Sequence, residues 1–295
     1  MIRSIIQTAR PPFLILTITS VLLSLGWADY NQINWNGGLL FLVLVATLFA
    51  HISVNMLNEY EDFKSGLDAI TDKTPFSGGS GSLQDTPEVA ETVALIGYSL
   101  LGAVASIGVF FIYLRGWDIL PMGVLGIVFI VSYTTWITRY PLVCLFVAGF
   151  AFGPMMVNGT YFVLTGGYDT GVLLLSMIPF FLVNNLLLLN QIPDMEADKI
   201  IGRYNFLHKY GVRAGIGVYL LNWLFTFAIL ISLLILQILP TWVLISLFGL
   251  LVSFPLLKSV LKSVDDKKQL NTAMGLNVML TLLTPALISL GLFLG

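Results

Sequence analysis

Two short polar clusters hold the side chains of this chain that are best suited to chemistry. Asn58 and Asp62 are four residues apart in the first cluster, and Asn190, Asp194 and Asp198 repeat that spacing in the second. Residues four apart share one face of an α-helix, so each cluster can direct its oxygens to one point. Carboxylates this close repel each other in a low dielectric unless a cation separates them. Because Mg²⁺ prefers hard oxygen ligands and also takes phosphate oxygens, the clusters predict a Mg²⁺ site for a phosphorylated substrate.

Long hydrophobic segments must position these clusters, because each cluster comes where such a segment ends. The 295 residues are 57% hydrophobic and 10% charged, which is typical of an integral membrane protein. Segments of about 20 apolar residues are long enough to span a bilayer. They predict an all-α membrane protein with about nine transmembrane helices in a single domain, residues 1–295. The helices are expected at about 11–28, 38–58, 90–113, 117–135, 142–165, 170–192, 212–237, 240–260 and 269–294.

The basic residues support this count of helices. With nine spans, every Lys and Arg except Arg115 falls on one side of the membrane. The positive-inside rule makes that side cytoplasmic, so we expect the N-terminus inside, the C-terminus outside and both clusters at the cytoplasmic face. The net charge of −2 and the lack of a basic tail give no reason to expect a nucleic-acid partner.

The two clusters also indicate a weak internal repeat. One cluster ends the second predicted helix and the other ends the sixth, four helices later. Two pseudo-equivalent four-helix halves would bring these helix ends face to face. A single acidic cluster is typical of a solvated helix end, whereas two clusters with one spacing on one membrane face favour a shared site.

The basic residues near the clusters indicate which substrate such a site takes. A Mg²⁺ site at a membrane surface, next to a deep apolar interior, suits an amphiphile with a diphosphate head and a hydrocarbon tail. Lys199, Arg203 and Arg139 are candidates to neutralise that head, and each is also explained by the positive-inside rule alone.

Several other features admit two interpretations. The glycine- and serine-rich stretch 77–82 is either a flexible linker or a lid with backbone donors for a phosphate. Asn184 and Asn185 lie inside the sixth predicted helix, where hydrogen bonds between helices are slightly favoured over substrate contact. Pro193 is expected to kink that helix or open it locally just before Asp194.

Both clusters resemble motifs of a known family. Residues 58–68, NEYEDFKSGLD, resemble the first aspartate-rich motif of the UbiA superfamily of intramembrane prenyltransferases, in the form found in the naphthoate prenyltransferases of menaquinone synthesis. Residues 194–203, DMEADKIIGR, are similar to the second motif, and Arg10-Pro11, Tyr133 and the tripeptide 159–161 also resemble the family. Glu59 stands where the family usually has Asp, and this departure is expected to alter the metal geometry.

The resemblance implies a helical bundle around a central cavity and a prenyl transfer reaction. Mg²⁺ would bridge both motifs to an isoprenoid diphosphate, and the prenyl group would pass to an aromatic acceptor of the dihydroxynaphthoate type. The expected catalytic residues and metal ligands are Asn58, Asp62, Asp194 and Asp198. The expected substrate contacts are Lys64, Asp68, Tyr133, Arg139, Asn190, Lys199 and Arg203. The protein would lie in the lipid bilayer of the cytoplasmic membrane, with its active site open to the cytoplasm.

Two other functions are compatible with parts of the pattern. A terpene cyclase of the same superfamily would ionise the same diphosphate and let the chain attack itself. An ion-coupled transporter would use the carboxylates as an ion site. Transporters place such residues near the bilayer midplane, whereas both clusters here lie at helix ends, which argues against that function.

Overall fold

Nine apolar helical segments make up most of the described part of the chain. The computed structural model describes residues 1–71, 74, 76, 78–263 and 266–295. Within these residues, eight helices are long and apolar enough to cross a membrane, and a shorter apolar helix stands fourth in the order. We number them α1 (Pro11–Tyr30), α2 (Gly37–Ser65), α3 (Pro87–Arg115), α4 (Trp117–Ser132), α5 (Pro141–Thr165), α6 (Thr170–Ile200), α7 (Val212–Ile235), α8 (Thr241–Lys262) and α9 (Lys267–Phe293).

These helices confirm the all-α membrane fold that the hydrophobic segments predict. The fourth helix, α4, ends at Ser132, three residues before its predicted end, and is followed by turns and the 3₁₀ turn Ile137–Arg139. Pro141 then begins α5 at a position where its missing N–H costs nothing. The second and sixth helices are longer than expected, because both motifs continue the helices that carry them.

The helices pack with α1 and α6 at the centre. α1 lies against α5 and α9, and α6 lies against α5, α7 and α9, whereas α2 packs mainly against α3. In the apolar window of each span, 61% of the residues are buried in α1 and α6, and 17% in α2 and α3. The second and third helices are therefore the least buried: part of their surface lines the cavity described below, and side chains such as Leu95 and Phe110 of α3 are exposed.

Small residues let α5 and α6 approach closely. A Cβ on Gly149 would lie 2.2 Å from the Phe180 carbonyl oxygen and 2.2 Å from Asn184 Oδ1. The Gly149 N–H instead donates a hydrogen bond of 2.9 Å to that amide oxygen. A π-helical turn, Ala151–Met155, follows immediately in α5. Close contacts at glycine and hydrogen bonds to side-chain amides hold helices together in membranes.

A second polar network joins α6, α7 and α9. Asn222 donates to Asn185 Oδ1 (3.0 Å), Asn185 donates to the Tyr219 carbonyl oxygen (3.0 Å), and the Tyr219 hydroxyl donates to Asn277 Oδ1 (2.7 Å). Asn184 and Asn185 thus form hydrogen bonds between helices, and neither lines the cavity described below. The structure confirms the interhelical interpretation of this pair.

Arg115, the basic residue on the side opposite to the others, has a structural role. Its Nε and Nη2 donate to the carbonyl oxygens of Val163 (2.7 Å) and Leu164 (2.8 Å) at the C-terminal end of α5. A cation here satisfies carbonyls that have no partner within the helix. Its position is therefore explained by helix capping rather than by membrane charge.

Short elements cover the end of the bundle at which α2 and α6 finish, which we call the motif end. They include the helix Ile2–Thr8 before α1 and the helix Phe206–Tyr210 before α7. Two single turns, Leu67–Ile70 and Ser82–Asp85, lie between α2 and α3. The backbone N–H of Tyr204 also donates to the Thr138 carbonyl oxygen (3.2 Å), which ties the segment after α6 to the turn before α5.

Candidate active site

A cavity of about 610 Å³ lies among α1 to α6 and reaches the motif end. Its deep part is mainly apolar, with side chains such as Phe129, Phe152 and Met155 in its wall. Its other part is polar. Both aspartate motifs contribute to that polar part, with Asn58, Asp62, Asp68, Asn190, Asp194 and Asp198. Two helices that are four apart in the chain thus bring their polar ends to one space.

The first motif is held by the last turns of α2. Asn58 and Asp62 lie one turn apart, and Gly66 ends the helix with φ of +75°, a conformation that favours glycine. The Asn58 side-chain nitrogen donates to Thr134 Oγ1 (3.0 Å). This bond occupies the nitrogen and leaves the amide oxygen as the group that can bind a cation. The chain then turns back so that the buried Asp68 also faces the cavity.

Arg203 lies between the two motifs. Its Nη2 forms an ion pair with Asp62 Oδ1, and its Nη1 is 3.7 Å from Asp198 Oδ1. The three side chains are 8–12% exposed. Asn205 donates to the other oxygen of Asp198 (3.2 Å), and Gly202, with φ of +78°, forms the turn just before Arg203. The guanidinium therefore supplies the positive charge that buried carboxylates of two helices require.

The donor set fits a divalent cation. Within the described residues, no three His, Cys, Asp or Glu side chains converge on one point, and Arg203 lies between Asp62 and Asp198. Asp68 Oδ2 is buried and makes no hydrogen bond. Burial raises the pKa of Asp68 to about 6, and the charges of Asp62 and Glu59 act in the same direction. A buried carboxylate oxygen that has no hydrogen-bond donor beside it is a suitable ligand for Mg²⁺.

Glu59 does not belong to this donor set. Its side chain is fully buried and does not line the cavity. The carboxylate accepts hydrogen bonds from Arg10 Nε (2.7 Å), from the Ser80 backbone N–H (2.8 Å) and from Ser80 Oγ (2.7 Å). The carboxylate thus links the first motif to two neighbouring segments.

The structure separates the expected substrate contacts into two groups. Asp68, Tyr133, Asn190 and Arg203 line the cavity. Three basic residues do not line it, and their side chains are exposed at the motif end; they are Lys64, Arg139 and Lys199. Lys64 instead lies near the Tyr60 hydroxyl (3.3 Å) on the outer face of α2. Long charged side chains at helix ends remain in contact with water, as the positive-inside interpretation of Arg139 and Lys199 requires.

Other residues that line the cavity have weaker signals in the sequence. Arg10 is among them, and its only signal is its place directly before Pro11 at the start of α1. His51 lies on α2 two turns before Asn58, where Thr17 Oγ1 is 2.8 Å from its Nδ1 and the Phe152 ring meets it edge-on at 4.8 Å. A single histidine in an apolar segment gave no reason to choose it.

Part of the glycine-rich stretch lies at the cavity. Gly78 and Gly79 line it, and a Cβ on Gly79 would lie 2.8 Å from Asp68 Oδ1. Gly79 also has φ of +70°, so this position requires glycine for both reasons. Ser77, the first residue of the stretch, lies outside the described residues, as does Lys73 before it.

Fold and site together form a bundle of apolar helices around a cavity that joins two aspartate motifs to an apolar interior. Residues 16–283 match the model of the UbiA prenyltransferase family, so the chain belongs to that family and is a prenyltransferase. The family resemblance of the two motifs is thus confirmed. A prenyltransferase family also sets aside the alternative of an ion-coupled transporter.

Relatives with assigned activities are similar over about two thirds of the chain. A 1,4-dihydroxy-2-naphthoate octaprenyltransferase of Haemophilus influenzae is 27% identical over 217 residues, 71% of this chain and 70% of the relative. A protein of the same name from Bacillus subtilis is 29% identical over 202 residues, 67% of this chain and 62% of the relative.

Solved structures share the fold. A digeranylgeranylglyceryl phosphate synthase has a TM-score of 0.69 at 15% identity, covering 100% of this chain and 99% of that one. A UbiA homologue from Archaeoglobus fulgidus, bound to DMAPP and Mg²⁺, has a TM-score of 0.59 at 14% identity, covering 97% and 99%. These likenesses support the all-helical fold and its arrangement around a cavity.

Proposed function

We propose that this prenyltransferase moves a polyprenyl group from its diphosphate to an aromatic acceptor of the dihydroxynaphthoate type, with Mg²⁺ as cofactor. The observation that carries the proposal is a cavity that joins both aspartate motifs to an apolar interior. The activity of the named relatives and the ligands of the Archaeoglobus homologue support the acceptor, the diphosphate and the metal. The reaction would take place in the cytoplasmic membrane, at a site open to the cytoplasm, as the distribution of Lys and Arg suggests.

The diphosphate head would bind at the motif end of the cavity. Oxygens of Asn58, Asp62, Asp194 and Asp198 would hold Mg²⁺, which when bound neutralises the charge that grows on the leaving diphosphate. Arg203 would turn from the carboxylates to the diphosphate, since a guanidinium binds phosphate oxygens with two parallel hydrogen bonds. Asp68, Asn190 and Tyr133 line the same region and would fix the position of the head.

The apolar part of the cavity would hold the prenyl chain and protect the reacting carbon. Heterolysis of the allylic C–O bond gives the diphosphate both electrons and leaves an allylic cation, which water would quench. Phe129, Phe152 and Met155 form part of a wall that keeps water away. Aromatic ring faces in this wall, with Tyr133 nearest the motifs, also offer cation–π stabilisation.

The acceptor would complete the reaction as a carbon nucleophile. An electron-rich ring carbon forms the new C–C bond with the allylic carbon. If that ring carbon carries a carboxylate, as in a dihydroxynaphthoate, the C–C bond to the carboxylate breaks, its electron pair returns to the ring and CO₂ leaves. If it carries hydrogen, a proton leaves instead. Without an acceptor, the same cation would be attacked by its own chain, which is the cyclase outcome.

The activity test uses purified protein in lipid nanodiscs with a labelled polyprenyl diphosphate and Mg²⁺. Naphthoate, hydroxybenzoate and homogentisate acceptors are offered in parallel, and products are identified by mass. We expect a prenylated naphthalene product with loss of CO₂. A cyclised hydrocarbon formed without any acceptor would decide for a cyclase, and no consumption of prenyl diphosphate would refute the proposal.

Variants of both motifs test whether the metal site is shared. Asp62→Asn and Asp194→Asn should each lower turnover at least about a hundredfold, because each removes charge from the position where the leaving group is stabilised. Glu88→Gln, at an exposed position in the first turn of α3, is the matched control. Near-normal turnover in either aspartate variant would contradict a site formed by both motifs.

A further inference from the structure

Glu59 lies next to the metal motif, but its carboxylate serves a different part of the molecule. The side chain has no exposed surface, and both of its oxygens accept hydrogen bonds. Oε1 accepts hydrogen bonds from Arg10 Nε (2.7 Å) and the Ser80 backbone N–H (2.8 Å), and Arg10 Nη2 is 2.6 Å from it. Oε2 accepts a hydrogen bond from Ser80 Oγ (2.7 Å). A fully buried carboxylate with this many partners is satisfied by the protein itself.

These bonds join three segments that are far apart in the sequence. Glu59 belongs to α2, Arg10 precedes α1, and Ser80 belongs to the connection between α2 and α3. Arg10 has φ of +51°, an unfavourable conformation for a residue with a Cβ, so it requires support from its surroundings. Neighbouring bonds reinforce the junction, because Asn55 donates to the Ala9 carbonyl oxygen at 3.0 Å.

The junction places the Arg10 guanidinium and the backbone of Gly79 at the end of the cavity that holds the motifs. Arg10 and Gly79 line the cavity, whereas Glu59 does not. Gly79, directly before Ser80, lies against the Asp68 carboxylate. We propose that Glu59 is a positioning residue that holds Arg10 and the Gly79–Ser80 segment where the diphosphate head enters, and that it is not a metal ligand. The inference rests on the proposed function, since it assigns this mouth to the diphosphate.

The length of the side chain provides a test. The family usually has Asp at this position, and Asp is shorter than Glu by one methylene, about 1.5 Å. If Glu59 bound metal, Glu59→Asp would introduce the family's own ligand, and the site would tolerate it. If Glu59 is a positioning residue, the shorter side chain in a fixed helix cannot reach both Arg10 and Ser80, and Glu59→Asp would release them.

The first measurement needs no substrate. Hydrogen–deuterium exchange followed by mass spectrometry reports on the Ser80 amide, whose hydrogen bond to Glu59 would slow exchange. We expect Glu59→Asp to speed exchange in peptides that cover residues 78–83 by about tenfold or more. Glu61→Asp, two residues away on the same helix, is the matched control and should leave the exchange of residues 78–83 at the wild-type rate. Unchanged exchange in Glu59→Asp would overturn the inference.

The second measurement is the affinity for a non-reactive prenyl thiodiphosphate in the presence of Mg²⁺. We expect Glu59→Asp to weaken binding about tenfold or more, and Ser80→Ala, which removes one hydroxyl from an exposed position, to weaken it by a smaller factor. In turnover, KM for the prenyl diphosphate should rise while kcat and the Mg²⁺ dependence stay near wild type. A purely structural defect would instead lower the active fraction and hence kcat.

The outcomes separate this inference from the proposed function. If wild type and Glu59→Asp bind the thiodiphosphate equally tightly, the positioning role is overturned and the proposed function is not. Weaker Mn²⁺ binding by Glu59→Gln in electron paramagnetic resonance, with unchanged exchange at residues 78–83 in Glu59→Asp, would identify Glu59 as a metal ligand and also overturn it. Wild type that does not bind any prenyl thiodiphosphate would overturn the proposed function and, with it, this inference.

Discussion

Replacing Arg203 by Gln removes the positive charge that lies between the two motifs. In the wild-type protein the guanidinium pairs with Asp62 and is 3.7 Å from Asp198, and all three side chains are largely buried. The substitution leaves two buried carboxylates facing each other without this cation. They must then either take up a proton, bind a metal ion or destabilise the fold.

The structure sets the expected size of the effect. Removing one partner of a buried ion pair costs about 3–5 kcal/mol. The longer distance to Asp198 and the ability of a carboxyl group to protonate favour the lower end, about 3 kcal/mol. For a chain of this size, that loss corresponds to a decrease in Tm on the order of 5–10 °C. The decrease should be larger at pH 8 than at pH 5, because more of the freed carboxyl groups are then charged.

Thermal unfolding in detergent, with and without Mg²⁺, measures this effect. Without substrate, Mg²⁺ should raise the Tm of Arg203→Gln more than that of wild type, because the freed carboxylates bind the ion that Arg203 otherwise excludes. Arg203→Lys keeps a charge and is the matched control. Equal Mg²⁺ shifts in wild type and Arg203→Gln, or no loss of stability without metal, would refute the reasoning.

Two further substitutions test the electrostatics and the packing. The pKa of Asp68 is raised from 3.8 to about 6, so its contribution to stability is present below pH 3.8 and is lost as the pH rises through about 6. Asp68→Asn should therefore raise Tm at pH 8 more than at pH 5, and a pH-independent change would contradict that pKa. Gly149→Ala should cost about 3 kcal/mol or more, because its Cβ would lie 2.2 Å from the Phe180 carbonyl oxygen and from Asn184. Gly102→Ala, with open space around it, is the control, and equal stability of the two variants would contradict the packing.

The helices could be predicted well from the sequence because hydrophobic length is the dominant constraint on a membrane-spanning chain. Segment lengths and the side preference of Lys and Arg indicate nine helices, and the described residues include eight of full length together with the shorter α4. The predicted end of α4, residue 135, lies three residues beyond its observed end at Ser132. Arg115 breaks the charge pattern because it caps α5.

The site could be predicted in part. The spacing of aspartates places both motifs on helix faces, and these faces do meet in one cavity. The sequence could not distinguish Arg203, which lies between the motifs, from Arg139 and Lys199, which are exposed, because all three are basic residues at helix ends. The partners of Glu59 could not be predicted either, since Arg10 and Ser80 are 49 and 21 residues away in the sequence and meet it only in the folded chain.

The most direct test of the account is the position of the metal itself. Crystals of the protein grown with Mn²⁺ and a prenyl thiodiphosphate would show the ion by anomalous scattering. The account predicts a peak in the cavity between α2 and α6, about 2.0–2.3 Å from oxygens of both motifs, with Arg203 turned to the diphosphate. A peak bound by one motif only, or a thiodiphosphate bound with Arg203 still paired to Asp62, would contradict it.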